Sequence, residues 1–361
     1  KETKGGRRAV NVLGIETSCD ETAVAIVKDG THVCSNVVAT QIPFHAPYRG
    51  IVPELASRKH IEWILPTVKE ALARAQLTLA DIDGIAVTHA PGLTGSLLVG
   101  LTFAKTLAWS MHLPFIAVNH LHAHFCAAHV EHDLAYPYVG LLASGGHALV
   151  CVVHDFDQVE ALGATIDDAP GEAFDKVAAF YGFGYPGGKV IETLAEQGDA
   201  RAARFPLPHF HGKGHRYDVS YSGLKTAVIH QLDHFWNKEY ERTAQNIAAA
   251  FQACAINILL RPLARALQDT GLPTAVVCGG VAANSLLRKS VADWKHARCV
   301  FPSREYCTDN AVMVAALGYR YLIRGDRSFY GVTERSRIAH FSKRGGDRLA
   351  AQRSAASQPL F

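Results

Sequence analysis

The segment HLHAHFCAAH, residues 120–129, holds four histidines in ten positions. Its apolar residues recur at helical spacing, with no β-branched alternation before Val130, so we predict a helix after the short apolar strand FIAVN. On a helix, His120 and His124 share one face with about 5–6 Å between their Cβ atoms, which suits a shared transition metal. His122 then lies about 200° around the axis from His120. In a strand, by contrast, all three histidines would share one face.

The same spacing of two histidines is used by metalloproteases, but their motif is H-E-x-x-H with a glutamate as general base. Leu121 occupies the position of that glutamate. The sequence therefore disfavours peptide hydrolysis. Histidines satisfied within a hydrophobic core are the other interpretation of this spacing.

Carboxylates cluster at two other places where they could hold a cation or move a proton. The segment NVLGIETSCDETAVAIV, residues 11–27, indicates a hairpin whose tip carries Glu16, Asp20 and Glu21. The segment IDDAPGEAFDKVA adds a second cluster that includes Asp175. Helix capping also explains acidic residues in turns, although it explains Asp175 less well because that residue lies within a helical pattern.

Glycine-rich turns offer candidate phosphate sites, because a strand that opens into a helix directs unpaired N–H groups at a ligand. We assign three turns to this class: Pro91-Gly92, Ser144-Gly145-Gly146 and Gly279-Gly280. The sequence contains neither G-x-x-x-x-G-K-[ST] nor G-x-G-x-x-G, which disfavours P-loop and Rossmann folds.

These motifs recur in one order in both halves of the chain. A hairpin with a polar tip is followed by a strand, a glycine loop and a helix, first within residues 11–109 and again within residues 138–291. The repetition predicts a duplicated α/β domain with a central cleft between the two halves.

The composition is that of a globular protein, with 361 residues, 48% hydrophobic residues and a formal net charge of +3. Eight cysteines without C-x-x-C spacing favour a reducing cytoplasm. The N-terminal residues lack the apolar core of a signal peptide, and residues 95–118 indicate a buried helix and a strand; we therefore expect no membrane partner. Basic residues gather near both ends, where solubilising tails are the simplest interpretation.

Ten blocks carry a resemblance to one family. In order along the chain they are GIETSCDETAVAIV, VPELASRKH, APGLTGSLLVG, the histidine cluster, LLASGGHALV, IDDAPGEAFDKVA, YPGG, SYSGLKT, CGGVAANSLLR and CTDNAVM. They resemble the TsaD/Gcp family of tRNA adenosine threonylcarbamoyltransferases over residues 10–331. Within the histidine block, His122 stands where the family commonly has glutamate.

The resemblance implies an α/β fold of duplicated actin-like ATPase domains (ASKHA, RNase H-like). We expect an N-terminal lobe over residues 10–130, a C-terminal lobe with a helical insertion over 131–325, and a polar, partly mobile tail over 326–361. It also implies transfer of a threonylcarbamoyl group from threonylcarbamoyl-adenylate to the exocyclic amine of the tRNA adenosine just 3′ of the anticodon, in tRNAs that read codons beginning with A. The implied partners are tRNA, a TsaB-like paralogue and a TsaE-like ATPase.

Site residues follow from the resemblance position by position. One divalent metal, Fe²⁺ or Zn²⁺, would be held by His120, His124 and Asp309. Threonylcarbamoyl-adenylate, or ATP or ADP, would contact Leu142, Ala143, Ser144, Gly145, Gly146, Asp175, Gly188, Glu192 and Asn284. Asp20 and Glu21 are the candidate proton acceptors, between which the sequence does not choose. A small-molecule kinase of the same superfamily, which would not need the metal ligands, and a non-catalytic scaffold are the alternatives.

Overall fold

The computed structural model describes residues 8–48, 50–210 and 213–337. Ten strands in this part of the chain form two five-stranded sheets. The strands of the first sheet are Asn11–Glu16 (β1), Glu21–Lys28 (β2), His32–Thr40 (β3), Gly84–Ala90 (β4) and Phe115–Asn119 (β5). The strands of the second are Tyr138–Ala143 (β6), Ala148–Asp155 (β7), Gln158–Ala164 (β8), Thr274–Cys278 (β9) and Arg298–Val300 (β10).

The same described residues form twelve α-helices. They are Ile42–His45 (α1), Pro53–Ala75 (α2), Thr94–Ser110 (α3), His120–Glu131 (α4), Pro170–Tyr181 (α5), Gly187–Ala195 (α6), Ser222–His230 (α7), Leu232–Phe235 (α8), Ala244–Thr270 (α9), Ser285–Ala292 (α10), Arg304–Cys307 (α11) and Ala311–Arg324 (α12).

The two sheets have the same topology. The first has the order β3-β2-β1-β4-β5 and the second the order β8-β7-β6-β9-β10. In each, an antiparallel meander of three strands is extended by two parallel strands. This confirms the duplicated α/β plan that the repeated motifs predicted.

One of the three glycine turns differs from its prediction. Ser144-Gly145-Gly146 lies at the tip of the second predicted hairpin, where it joins the antiparallel strands β6 and β7, and it does not open a helix. The nearby helix end comes from elsewhere in the chain: the N–H of Gly171, in α5, donates to the carbonyl of Ser144 at 3.2 Å. The turns after β4 and β9 are followed by helical residues, as predicted.

Helix α4 is buried on two sides between the sheets. Ala123, Cys126 and Ala127 pack into the core that α12 shares with the first sheet. Leu121 and Phe125 pack against the second sheet. The histidine helix therefore lies between the two lobes, which explains why small and apolar residues surround its histidines on nearly every side.

The last helix of the described chain, α12, packs against the first sheet. Gly14 in β1 makes this approach possible, because a Cβ atom there would lie 2.5 Å from the carbonyl oxygen of Ala311. Helix α12 thereby brings residues from the end of the second lobe to the first. The division into residues 10–130, 131–325 and 326–361 stays a prediction.

The beginning of the polar tail is packed against the first lobe. The N–H of Ser328 donates to Phe115 at 2.8 Å, and the N–H of Arg335 donates to His89 at 3.0 Å. The rest of the predicted tail, residues 338–361, lies outside the described residues. One described helix, α9, is long and apolar enough to cross a membrane, but 72% of its most apolar window is buried, as in the core helix of a soluble protein.

Candidate metal centre and nucleotide site

Helix α4 begins at its first histidine because the residue before it is an N-cap. The side-chain oxygen of Asn119 accepts hydrogen bonds from the N–H groups of Leu121 and His122, at 2.8 and 3.4 Å. The predicted helix is confirmed, and the strand alternative is wrong. The rings of His120 and His124 meet edge to face with centroids 4.6 Å apart.

Asp309 reaches these histidines from the turn between α11 and α12. One of its carboxylate oxygens, Oδ1, lies 3.2 Å from His124 Nε2 and 3.6 Å from His120 Nε2. The next residue, Asn310, is the N-cap of α12 and thereby sets the path of the turn. The three side chains offer ligand atoms within 4.8 Å of one another, so they form a possible metal site.

The donor set fits a divalent transition metal. Two imidazole nitrogens and one carboxylate oxygen leave positions open for substrate, as in catalytic rather than closed structural sites. His124 Nε2 is buried and, among the described residues, has no properly oriented hydrogen-bond partner. A buried nitrogen of this kind is the expected environment of a metal ligand.

The charges around these side chains complement one another. Burial alone would lower the pKa of His120, but the charges of Glu16 and Asp309 raise it to about 9. Burial would raise the pKa of Asp309, but His120 and His124 bring it well below its usual range. Burial lowers the pKa of His124 despite its contact with Asp309. A cation is therefore stabilised here, whether it is a proton or a metal ion.

His122 is not part of this cluster. Burial lowers its pKa to about 4, and the opposing charge that acts on it is that of Asp157 rather than that of Asp309. It is also absent from the group whose ligand atoms converge. The physical reason is that His122 lies about 200° around the helix axis from His120, so its ring points away from the cluster.

Asp20 and Glu21 lie at the tip of the first hairpin, facing the second lobe. Burial raises the pKa of Asp175, opposed by a hydrogen bond from Gly187, and the charge of Asp20 raises it further. Burial likewise raises the pKa of Tyr185, followed by the charges of Asp175 and Asp20. Carboxylates of the first hairpin and of α5 therefore lie close enough to act on one another.

The structure brings most of the predicted nucleotide residues together in the second lobe. Asp175 Oδ1 accepts a hydrogen bond from Gly187 N at 2.7 Å, at the start of the helix that carries Gly188 and Glu192. Glu192 Oε1 in turn accepts from Ser285 N at 2.7 Å.

Asn284 has a structural role in this group. Its Oδ1 caps α10 by accepting from Leu286 N and Leu287 N, and its Nδ2 donates to Gln252 at 3.1 Å. One N–H of its amide is left for a ligand.

The predicted stretch from Leu142 to Gly146 divides into two parts. The side chains of Leu142 and Ala143 are fully buried in the core, so only their backbone could face a ligand. At Gly145 and Gly146, no described atom lies within 4 Å of where a Cβ atom would stand. The glycine turn is therefore the accessible part of this stretch.

Two residues beside the metal cluster carry no specific assignment from the sequence. Glu16 is hydrogen-bonded to His120 Nδ1 at 3.0 Å. His147, which follows the glycine turn, has its pKa lowered to about 4, first by burial and then by the charge of His120. In the sequence, the position of Glu16 at the end of an apolar strand could have indicated a site residue. No local pattern distinguished His147.

Comparison with known proteins agrees with this geometry. The family profile described as TsaD, tRNA N6-adenosine threonylcarbamoyltransferase, matches residues 32–316. The tRNA N6-adenosine threonylcarbamoyltransferase of Treponema denticola is 64% identical over 336 residues, covering 93% of this chain and 99% of that protein. The chain belongs to the TsaD family. It is accordingly a transferase that modifies the N6 amine of a tRNA adenosine.

A second relative agrees with the family, and two solved structures agree with the fold. The protein of the same description from Borreliella burgdorferi strain ZS7 is 46% identical, covering 92% of this chain and 95% of that one. Full-length HypF superposes with a TM-score of 0.58 at 15% identity, covering 88% of this chain and 56% of HypF. Component A of the (R)-2-hydroxyglutaryl-CoA dehydratase of Acidaminococcus fermentans gives a TM-score of 0.51 at 15% identity, covering 87% of this chain and 99% of that one. These similarities establish the duplicated actin-like ATPase fold.

Proposed function

We propose that this TsaD-family chain transfers the threonylcarbamoyl group with the help of one divalent metal, Fe²⁺ or Zn²⁺, held by His120, His124 and Asp309. The observation that carries the proposal is the convergence of their ligand atoms within 4.8 Å, at the junction of the lobes. A kinase of this fold would not need that set, and a non-catalytic scaffold would not need it either. When bound, such a metal supplies Lewis-acid stabilisation of the negative charge that develops on the carbamoyl oxygen.

The reaction requires two things of the chain's own residues, which are to hold the adenylate and to accept a proton. The amine of the tRNA adenosine forms a bond to the carbamoyl carbon of threonylcarbamoyl-adenylate, while the bond from that carbon to the phosphate oxygen breaks and AMP leaves. The N–H groups of Gly145 and Gly146 can hold the adenylate in place, whereas that of Ser144 donates to the carbonyl of His147 at 2.8 Å. The amine must also lose a proton, and we assign its acceptance to Asp20, with Glu21 as the alternative.

We assign the adenylate to the second lobe, beside the group formed by Asp175, Gly188 and Glu192. At Gly188, no described atom lies within 4 Å of where a Cβ atom would stand, which leaves room for a ligand at the start of α6. Asp175, in contact with the N-terminus of that helix, can accept a hydrogen bond from a ligand hydroxyl through its second oxygen.

Asp175→Ala should weaken binding of threonylcarbamoyl-adenylate about tenfold or more, since a hydrogen bond to a charged group contributes about 1.5–3 kcal/mol. Titration calorimetry measures the effect. Asp293→Ala is the control, because Asp293 is an exposed carboxylate of the same lobe, at the C-terminal end of α10. Unchanged affinity in the Asp175 variant would contradict the assignment, and a thermal melt of each variant excludes unfolding as the cause.

The family also implies protein partners, a TsaB-like paralogue and a TsaE-like ATPase, acting on tRNA in the cytoplasm. For the paralogue we propose the apolar groove between α2 and α3. There Ile61, Leu65 and Leu98 are 66%, 49% and 48% exposed, beside Val99 and Phe103. Contiguous exposed apolar surface of this kind commonly marks a protein interface.

The double substitution Ile61→Asp with Leu65→Asp should abolish a complex with the TsaB-like paralogue, because charge would be buried without a partner. Size-exclusion chromatography of the mixed proteins measures it. Ile323→Asp, at an exposed apolar residue on α12, is the control and should leave the complex intact. Complex formation by the double variant would place the interface elsewhere.

A further inference from the structure

Glu16 contacts the ring nitrogen of His120 that points away from Asp309, and it has no access to solvent. It is the last residue of β1, and its side chain is 0% exposed. Its Oε1 accepts a hydrogen bond from Ser18 N at 2.5 Å. Its Oε2 accepts from Thr88 Oγ1 at 2.6 Å and lies 3.0 Å from His120 Nδ1. Since it is buried on all sides, this carboxylate cannot touch substrate and must act through its neighbours.

The contact with Glu16 determines which nitrogen of His120 carries a proton. An ionised carboxylate can only accept, so His120 Nδ1 donates to Glu16 at 3.0 Å, and the Ser18 hydroxyl, whose Oγ lies 3.3 Å from the same nitrogen, is the more distant of its two partners. In the neutral ring, Nε2 then carries the lone pair, and Nε2 is the nitrogen that lies 3.6 Å from Asp309. His124 differs, because among the described residues its Nδ1 has no hydrogen-bond partner. The hydrogen bond to Glu16 therefore fixes the orientation of His120, whereas no described residue fixes that of His124 through its Nδ1 in this way.

We propose that Glu16 is a positioning residue of the metal centre, which holds His120 in the tautomer and the orientation that metal binding requires. The inference rests on the proposed metal centre. Metal-bound histidines commonly donate their other N–H to a carboxylate, and loss of that partner weakens metal binding about 10–100-fold. Glu16 makes this contact from β1, which is the first strand of the hairpin that carries Asp20 and Glu21. One buried side chain therefore connects the metal centre to that hairpin.

Glutamine at this position would reverse the hydrogen bonds while keeping the shape. The backbone N–H of Ser18 can only donate, so the amide oxygen of glutamine would turn toward it. The amide NH₂ would then face His120 Nδ1, which would accept from it, and the Ser18 hydroxyl, 3.3 Å away, can also donate to that nitrogen. In the neutral ring the proton would move to Nε2, the nitrogen that should bind the metal. We therefore expect Glu16→Gln to remove His120 as a ligand without opening a cavity.

The test is Zn²⁺ affinity of the metal-stripped, full-length chain, measured by competition with a chromophoric chelator. Glu16→Gln should bind Zn²⁺ about 10–100-fold more weakly than the unsubstituted chain. The matched control is Asp218→Asn, which alters another buried carboxylate paired with a histidine, His215, at 2.8 Å but in the second lobe. It should leave the affinity unchanged. An affinity of Glu16→Gln within twofold of the unsubstituted chain would overturn the positioning role.

Failure of the metal centre itself would look different. If the unsubstituted chain and His120→Ala bind Zn²⁺ equally, the proposed centre is wrong, whatever Glu16 does. If the centre holds, the double variant Glu16→Gln with His120→Ala should bind no more weakly than His120→Ala alone, because Glu16 acts through His120. Additive losses would show that Glu16 acts by another route.

A measurement on the unsubstituted protein covers the case in which Glu16→Gln does not fold. Long-range ¹⁵N–¹H correlation spectra of histidine-labelled protein distinguish protonated from unprotonated ring nitrogens, with His120 assigned by its loss in His120→Ala. In the Zn²⁺-bound chain, Nδ1 of His120 should carry the proton and Nε2 should shift on metal binding. A proton on Nε2 together with an unprotonated Nδ1 in the Zn²⁺-bound chain would overturn the inference.

Discussion

His120→Ala, His124→Ala and Asp309→Ala should each weaken metal binding enough to leave little metal on the purified protein, and should lower the rate of threonylcarbamoyl transfer about 10³-fold or more. The magnitude follows from the several kcal/mol that a Lewis-acid metal contributes to charge stabilisation. Each variant removes one of three ligands whose atoms lie within 4.8 Å of one another, and two ligands do not hold a divalent metal well. Elemental analysis of the purified variants and a single-turnover transfer assay measure the two effects.

His122→Ala is the control for these variants, because it removes a histidine from the same helix but outside the cluster. It should retain metal and most of its activity, since the charge acting on His122 is that of Asp157. Treatment of the unsubstituted protein with a chelator should reproduce the loss of activity, and Fe²⁺ or Zn²⁺ should restore it. Loss of metal from the His122 variant with retention in the His120 variant would refute the assigned ligand set.

Asp20→Asn should lower kcat for transfer about 10²–10⁴-fold while keeping the metal, which is the usual effect of removing a general base. We favour Asp20 because its charge acts on both Asp175 and Tyr185 of the opposite lobe, whereas that of Glu21 acts on Tyr185 alone. Rapid-quench measurement of a single turnover separates this step from product release. A kcat close to that of the unsubstituted enzyme would exclude Asp20 as the acceptor.

Glu21→Gln is the paired variant, and we expect a loss of less than tenfold. Burial, and then the charges of Asp20 and Asp309, raise the pKa of Glu21 well above its ordinary value. A raised folded-state pKa destabilises the fold as the pH rises above the pKa of the unfolded carboxyl, about 4.3. In metal-free protein, Glu21→Gln should therefore raise Tm at pH 8 and leave it nearly unchanged at pH 4. A larger loss of kcat in this variant than in Asp20→Asn would identify Glu21 as the base.

Local sequence determined the histidine helix. The apolar spacing within residues 120–129 predicted α4, and the cap at Asn119, which the sequence also contains, places its start at His120. That spacing alone set His120 and His124 on one face and His122 on another. Likewise, the repeated order of hairpin, strand, glycine loop and helix predicted a duplicated α/β domain, and the two sheets of one topology confirm it. Periodicity and caps are interactions between residues a few positions apart, so the sequence displays them directly.

The members of the site that are distant in sequence required the tertiary structure. The metal ligand Asp309 was indicated by family resemblance, but its approach to α4 depends on α12 packing against the first sheet, where Gly14 leaves room for it. The Ser144–Gly146 turn resembled a helix-opening loop locally, yet its neighbouring helix end comes from α5. The contact of Glu16 with His120 joins residues 104 positions apart. Contacts at such separations depend on how whole lobes pack, and no pattern within one segment encodes them.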